Sequence, residues 1–211
     1  TELRIVKMGV ISNGTTLLDA GSLDSGVATG DMVLIKTLTA SSSANVDFVH
    51  GTSSVVLDGT YKEYIFKYID IHPASVAQLT INFRDGGSNF DATKTSTTLN
   101  PYHVFNGTTD VVYRTAWDLA QSTSDQIIAQ ELGSTSQMTA SGYFHLFDPA
   151  NTTFVKHFSG VTQYYQDFGG GGSFAVHYGG YCNTTTAIDG VRFKMSSGNI
   201  DSGTIKLYGV N

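Results

Sequence analysis

Histidine is the first residue type to consider for chemistry in this sequence, because an imidazole can bind a metal ion or move a proton near neutral pH. The six histidines stand singly along the chain: His50, His72, His103, His145, His157 and His177. None shows the HxH or HExxH spacing that places two imidazoles on one metal ion. His145 and His157 would approach each other only if their strands form a hairpin, and neither has a local carboxylate. We therefore predict no metal site and no cofactor.

Residues for nucleophilic or acid–base catalysis are also poorly represented. The chain has no GxSxG motif, and its serines cluster in turn-like stretches such as "ASSSAN". Glycoside hydrolysis needs two carboxylates on facing strands, but Glu63 and Asp70 fall on opposite faces of one predicted strand. Cys182, the single cysteine, has no basic neighbour in "GGYCNTTT", which predicts a buried apolar role. The sequence therefore predicts a protein that is not an enzyme.

Aromatic and hydroxyl side chains are the remaining chemistry, in "PYHVFNGTTDVVYRTAWD" and "TQYYQDFGGGGSFAVHYGGYCN". Flat rings stack on the apolar faces of sugars and proteins, while amides bond hydroxyl groups. The candidate contacts for a ligand or partner are Tyr102, His103, Asn106, Trp117, Tyr164 and Tyr165. Core packing is the competing explanation. It is favoured for Phe144, Phe154, Phe174 and Phe193, and it stays open for the three tyrosines.

Charge and composition limit the kinds of partner. The 211 residues include 12 Lys plus Arg and 18 Asp plus Glu, a net charge of −6 with only 14% charged residues. Without a basic cluster to neutralise phosphates, we predict no nucleic-acid partner. The chain has neither an apolar run of about 18 residues nor a signal-like N-terminus, which predicts cytoplasmic synthesis without membrane insertion.

Strand-like alternation of apolar and polar residues recurs along the chain. The predicted strands are 32–39, 44–50, 63–71, 77–84, 110–117, 137–147, 153–165, 173–182, 187–195 and 203–210. About ten short strands at this spacing predict an all-β fold, an antiparallel β-sandwich or jelly roll. We assign this domain to residues 29–211 and a short N-terminal arm, which could dock on a neighbour, to residues 1–28.

Three segments lack this pattern and receive other predictions. The polar stretch 85–109 is predicted as a long exposed insertion, with at most a short strand near 102–105. The stretch 115–133 has a weak helical pattern that we interpret as a single turn. The run of four glycines at 169–172 is predicted to connect two strands and carries no phosphate-binding motif.

The sequence also resembles a known family in several blocks. These are "GSNFDATKTSTT", "YRTAWDLAQST", "SGYFHLFDPANTTFVKHF" and the closing "GGYCNTTTAIDGVRFKMSSGNIDSGTIKLYGVN". Together, over about residues 30–211, they resemble virion-associated structural proteins of tailed bacteriophages, especially phages of marine bacteria. The resemblance implies a place in a phage particle made in the host bacterial cytoplasm. It does not imply a reaction.

Several functions fit this resemblance. The first is a tail-fibre or tail-associated subunit, favoured as a homotrimer, that contacts other virion proteins, copies of itself and host surface polysaccharide. The second is a capsid decoration or capsid-fibre protein on the head surface. Outside the virion, the alternatives are a lectin-like carbohydrate-binding module and a glycan-degrading enzyme, and the scarcity of catalytic residues disfavours the enzyme.

The closing stretch predicts a β-hairpin with an apolar face and a basic face. Its outward side chains are Arg192, Lys194, Lys206 and Tyr208. Basic residues on an exposed strand discourage free pairing or meet an acidic neighbour. We therefore predict an inter-subunit edge at this hairpin.

Overall fold

The computed structural model of the protein describes residues 10–12, 15–19, 22–23, 31–166 and 170–211. The chain divides into two units, Thr1–Val33 and Leu34–Asn211. In the first, β1 (Val10–Ser12), β2 (Thr15–Asp19) and β3 (Ser22–Leu23) form a small antiparallel sheet. Most of the predicted arm 1–28 lies outside the described residues, so its docking role stays a prediction.

The later strands form two antiparallel sheets, which confirms the predicted all-β sandwich. The wide sheet has eight strands in the order β4-β15-β6-β11-β12-β13-β8-β9, and the narrow sheet has four in the order β10-β7-β14-β5. Their bounds are β4 (Met32–Ser43), β5 (Val46–Val49), β6 (Glu63–Pro73), β7 (Ala77–Arg84), β8 (Lys94–Val104), β9 (Thr109–Tyr113), β10 (Gln126–Leu132), β11 (Ala140–Phe147), β12 (Lys156–Gln166), β13 (Gly172–Cys182), β14 (Gly190–Met195) and β15 (Ile200–Val210). Among the described residues, no helix is long and apolar enough to cross a membrane.

All ten predicted strands are present, and two further strands replace segments predicted otherwise. The predicted insertion 85–109 contains β8, an eleven-residue strand inside the wide sheet, and the predicted turn region ends in β10. Hydropathy missed β8 because its inward side chains are polar: Lys94, Ser96, Thr98 and Asn100 are all buried. In β8, buried and more exposed positions alternate along the strand, but apolar and polar residues do not.

The predicted closing hairpin is wrong. β14 lies between β7 and β5 in the narrow sheet, whereas β15 lies between β4 and β6 in the wide sheet. The turn between them therefore crosses from one sheet to the other, and neither strand is at an edge. The alternation itself is real, since Val191, Phe193 and Met195 are buried on one strand and Ile205 and Leu207 on the other.

An aromatic layer joins the two sheets. Phe66 and Phe144 of the wide sheet stack with ring centroids 4.7 Å apart, and Phe193 of the narrow sheet lies 5.9 Å from Phe144. The predicted core positions Phe144, Phe174 and Phe193 are buried. Phe154 is the exception and is 69% exposed, because the Asn151 side chain accepts the backbone N–H groups of residues 153 and 154 and forms a surface turn.

Gly203 adopts a backbone conformation that other residues rarely adopt. Its φ is +130°, and a Cβ placed there would lie 2.7 Å from Ile71 Cδ1 and 2.9 Å from the carbonyl oxygen of Asp70. We expect Gly203→Val to lower the free energy of unfolding by about 2 kcal/mol or more, since backbone strain and overpacking add. Urea unfolding followed by circular dichroism measures this change.

Gly59→Val is the matched control, because a Cβ at Gly59 would meet no atom within 4 Å. Its stability should stay within about 0.5 kcal/mol of the wild type. Equal stabilities for the two variants would contradict the role assigned to Gly203.

Cys182 is fully buried on β13, as predicted. Burial raises the pKa of its thiol from an ordinary value of 9.0 to about 12. At a pH between 9 and about 12, the thiol is deprotonated in the unfolded chain but protonated in the folded chain. The thiol's contribution to stability therefore falls as pH rises above 9.

We expect Cys182→Ala to remove this loss. From pH 8 to pH 10 the wild type should lose roughly 1 kcal/mol of unfolding free energy relative to the variant, since one pKa unit corresponds to about 1.4 kcal/mol. Urea titrations at half-unit pH steps provide the measurement. If the two proteins lose stability in parallel as pH rises, the thiol has the same pKa in the folded and unfolded chains, which would contradict the prediction.

Candidate functional site

The residues predicted to contact a ligand do not form one site. Tyr102 lies inward on β8 and stacks on Phe174 at 5.4 Å, while His103 points outward from the same strand and is exposed. Asn106 is in the exposed β8–β9 turn, where its side chain accepts the Thr108 backbone N–H. Tyr165 is half-buried and stacks on Phe105 at 6.0 Å. A contact role for these four residues stays a prediction.

Trp117 and Tyr164 are corrections to the predicted contact set. Trp117 is 8% exposed, and its ring lies under the Arg114 guanidinium at 4.9 Å. Tyr164 is 3% exposed and packs on Phe174. Both rings therefore serve core packing, which was the alternative to ligand contact for the aromatic residues. Because they are buried, neither ring is available to a ligand in this fold.

The four residues of the predicted inter-subunit edge are divided between the sheets. On β14, Arg192 forms a two-point ion pair with Asp47, and Lys194 Nζ lies 2.7 Å from Asp125 Oδ2. On β15, Lys206 is opposite Lys67, and Tyr208 lies under the Lys67 ammonium at 5.4 Å. The two β14 cations are therefore engaged within the chain, and no edge unites the four.

The outer face of the wide sheet has a composition that the sequence analysis did not single out. Across β11, β12, β13 and β8, all fully described, the outward positions include no Asp, Glu, Lys or Arg. They carry His, Tyr, Phe, Ser, Thr, Gln and small apolar residues instead. Four of the six histidines of the chain are on this face: His103, His145, His157 and His177.

Strand register divides this face into rows that cross the strands. One row consists of small side chains, Ser159, Gly179 and Thr97, which are aligned by the pairing of β12, β13 and β8. Larger side chains flank it on both sides: Tyr143, Val161, His177 and Leu99 on one, and Phe147, His157 and Tyr181 on the other. We call this depression the outer trough.

The outer trough is large enough for a small ligand. Its walls on β13 are four residues apart along the strand, or about 13 Å at the rise of an extended chain. Two adjoining depressions of about 440 and 370 Å³ share its floor residues Thr97, Ser159 and Gly179. These volumes fall within the range of ligand sites, roughly 300–1,000 Å³.

Gly179 forms the middle of the floor, and packing does not require a glycine there. A Cβ at Gly179 would meet its nearest atom, the Phe158 carbonyl oxygen, at an ordinary 3.5 Å. At the neighbouring Gly180 and Gly160, by contrast, a Cβ would come within 2.3 and 2.6 Å of another atom. Glycine inside a regular strand costs stability and often marks the close approach of a ligand or another backbone. The pairing around Gly179 has no bulge, so the position is open to the close approach of a ligand or another backbone.

Aromatic and imidazole groups line the trough walls. Tyr143 is 44% exposed, and its ring meets that of His145 edge-on at 5.4 Å. His145 Nδ1 bonds the Glu63 carboxylate on the neighbouring strand, which holds the imidazole in place. No group of three His, Cys, Asp or Glu side chains in the described residues is arranged to hold a metal ion. The trough can therefore bind a ligand by ring stacking and hydrogen bonds, because the outward side chains of its four strands include no Asp, Glu, Lys or Arg.

Sequence reasoning missed the trough because its residues come from four strands and are aligned only by register. The available signal was the pair Gly179–Gly180 inside the strand-like run 173–182, since glycine is unfavourable there. The comparisons add no relative: no family model matches the chain, and no curated protein or solved structure is significantly similar to it.

Proposed function

We propose that the chain is a structural subunit of a tailed-bacteriophage virion, of the tail-fibre or tail-associated class, that contacts a neutral glycan of the host surface through the outer trough. The observation that carries the binding role is Gly179, a strand glycine that packing does not require, at the floor of an uncharged aromatic face. The place in the particle is supported by the resemblance of the sequence blocks described above.

A neutral oligosaccharide fits the chemistry of the trough. Its sugar rings have apolar faces that pack on aromatic side chains, and its hydroxyl groups exchange hydrogen bonds with hydroxyl and imidazole groups. Tyr143 and Phe147 supply exposed rings, and Ser159 and Thr97 supply hydroxyl groups. The four strands carry no outward cation to offset the desolvation of an anionic polysaccharide's charges, and Lys67 of β6, opposite Tyr143, lies over the Tyr208 ring.

Two other functions remain as alternatives. A decoration protein on the head surface would use the same sandwich and would be found with capsids. A lectin-like module outside any particle would bind glycan in the same trough but would be absent from virions. Association with other virion proteins and with copies of itself, as a trimer, belongs to the proposal.

The binding role is tested by affinity electrophoresis of the purified chain in gels that contain one polysaccharide each. The panel consists of neutral polymers (a β-glucan, a mannan and a galactan) and anionic polymers (alginate and dextran sulfate). We expect retardation by at least one neutral polymer. Tyr143→Ala should weaken it about tenfold, the loss of one stacked ring, and Gly179→Thr should abolish it by filling the floor.

The controls are Phe154→Ala, an exposed ring that does not line the trough, and Gly59→Thr, a glycine in open space. Both should migrate like the wild type. Gly179→Thr should be at least as stable as the wild type, because a β-branched residue suits a strand better than glycine. Retardation by anionic polymers alone, or by none, would overturn the glycan role.

The place in the particle is tested separately, with purified virions of the phage that encodes the chain. We expect a gold-labelled antibody against the chain to mark the tail or its fibres. Label on the head surface would favour the decoration alternative, and virions free of the chain would contradict the structural role whether or not the purified chain binds a glycan.

A further inference from the structure

A buried lysine lies between the two sheets without an anionic hydrogen-bond partner. Lys94 of β8 is 0% exposed, and its Nζ donates to Asn82 Oδ1 at 2.7 Å and to the Ala92 carbonyl oxygen at 2.8 Å. Both acceptors are uncharged. An ammonium ion in such a place is costly, and burial lowers the pKa of Lys94 from its ordinary 10.5 to about 8.

Asn82 on β7 is held by four partners that fix the orientation of its amide. Oδ1 accepts from Lys94 and, at 2.8 Å, from the Phe83 backbone N–H. Nδ2 donates to Asp125 Oδ1 at 2.7 Å and to the Thr123 carbonyl oxygen at 3.1 Å. The other Asp125 oxygen, Oδ2, pairs with Lys194. Lysine, amide and carboxylate therefore form a connected chain.

We propose that Lys94 and Asn82 react to form an isopeptide bond that joins the wide sheet to the narrow sheet. Nζ attacks Asn82 Cγ, the new N–C bond forms, and the bond from Cγ to Nδ2 breaks. Nδ2 leaves as ammonia, taking up the proton that Nζ gives up. Atoms and charge balance without an oxidant or any other co-reactant.

Each neighbour has a defined part in this step. Because a carbonyl bond is about 1.2 Å long, Cγ lies within about 4 Å of Nζ, close to the range of reactive contacts. The Phe83 N–H stabilises the oxygen where negative charge develops. In the tetrahedral intermediate both nitrogens are bonded to Cγ, so Asp125, which accepts a hydrogen bond from Nδ2, is then placed to pass the proton from Nζ to the leaving nitrogen.

The environment favours the reaction as well as permitting it. A lysine amine must be neutral to act as a nucleophile, and desolvation raises its neutral fraction by roughly 300-fold at pH 7. Starting from the ammonium form, the extra proton leaves with the released ammonia as an ammonium ion, so the reaction replaces a buried charge with an uncharged amide. With a single cysteine, this chain cannot form an intrachain disulfide, and an isopeptide bond would join its sheets in a reducing cytoplasm.

Intact-mass spectrometry of the purified full chain tests the proposal first. We expect a mass lower than that of the sequence by one ammonia. Succinimide formation at Asn13–Gly14 or Asn106–Gly107 would also release ammonia, so a tryptic peptide map must locate the loss. The expected product is one branched peptide in which residues 68–84 are joined to residues 85–114, because trypsin cannot cleave after a modified Lys94.

Asp125→Asn keeps both reacting groups and removes the proton carrier, so most of this variant should retain the sequence mass. Asp47→Asn is the matched control, since Asp47 is an equally buried aspartate in an ion pair with Arg192, and it should still lose ammonia. Lys94→Arg should not react at all.

The wild-type peptide map decides the matter even if a variant fails to fold. Release of the linear peptide 85–94 from wild-type protein with a folded β spectrum, or a loss of ammonia that maps elsewhere, would overturn the proposal. This reaction is independent of glycan binding and of location in a particle. The results of the peptide map, the affinity electrophoresis and the antibody labelling therefore do not determine one another.

Discussion

An eight-stranded sheet packed against a four-stranded sheet is the constraint on which the rest of the structure depends. Four strands cannot cover eight, so part of the wide sheet's inner face must be satisfied by other means. At β8 the Arg114 side chain donates to the inward Asn100 side chain, and the segment 114–122 lies beside the strand, where Arg114, Leu119 and Ser122 exchange backbone hydrogen bonds with it. The polar inward row of β8 is the consequence, and it brings an amine into the interior of a protein with few charges.

Most of the fold follows from period-two patterning, because strands such as β6 and β7 bury apolar residues on one face. The pattern fails where the buried positions of a strand hold polar residues. In β8, buried side chains are polar and hydrogen-bonded, so the strand looks like a loop in the sequence. Strand pairing was harder to predict than strand position. The residues of β14 and β15 fit a hairpin, and only the packing of two whole sheets assigns them to different layers.

The candidate sites were harder to predict than the fold, for a related reason. Trp117 and Tyr164 lie near the ends of predicted strands and are buried in the core, whereas the trough is formed by register between β11, β12, β13 and β8. The same register that aligns Ser159 with Gly179 outside aligns Lys156 with Cys182 and Lys94 inside. Neither row is contiguous in sequence, so no motif search could find it.

The crossing of the chain from β14 to β15 has a consequence for synthesis on the ribosome. β14 and β15 are synthesised after the strands with which they pair, and they take interior positions: β14 between β5 and β7, and β15 between β4 and β6. Until they emerge, the long strands β4 and β6 present unpaired backbone edges that favour association with other chains. Folding must therefore follow the completion of residues 190–211, and a nascent chain interrupted before them is an aggregation-prone species rather than a smaller folded domain.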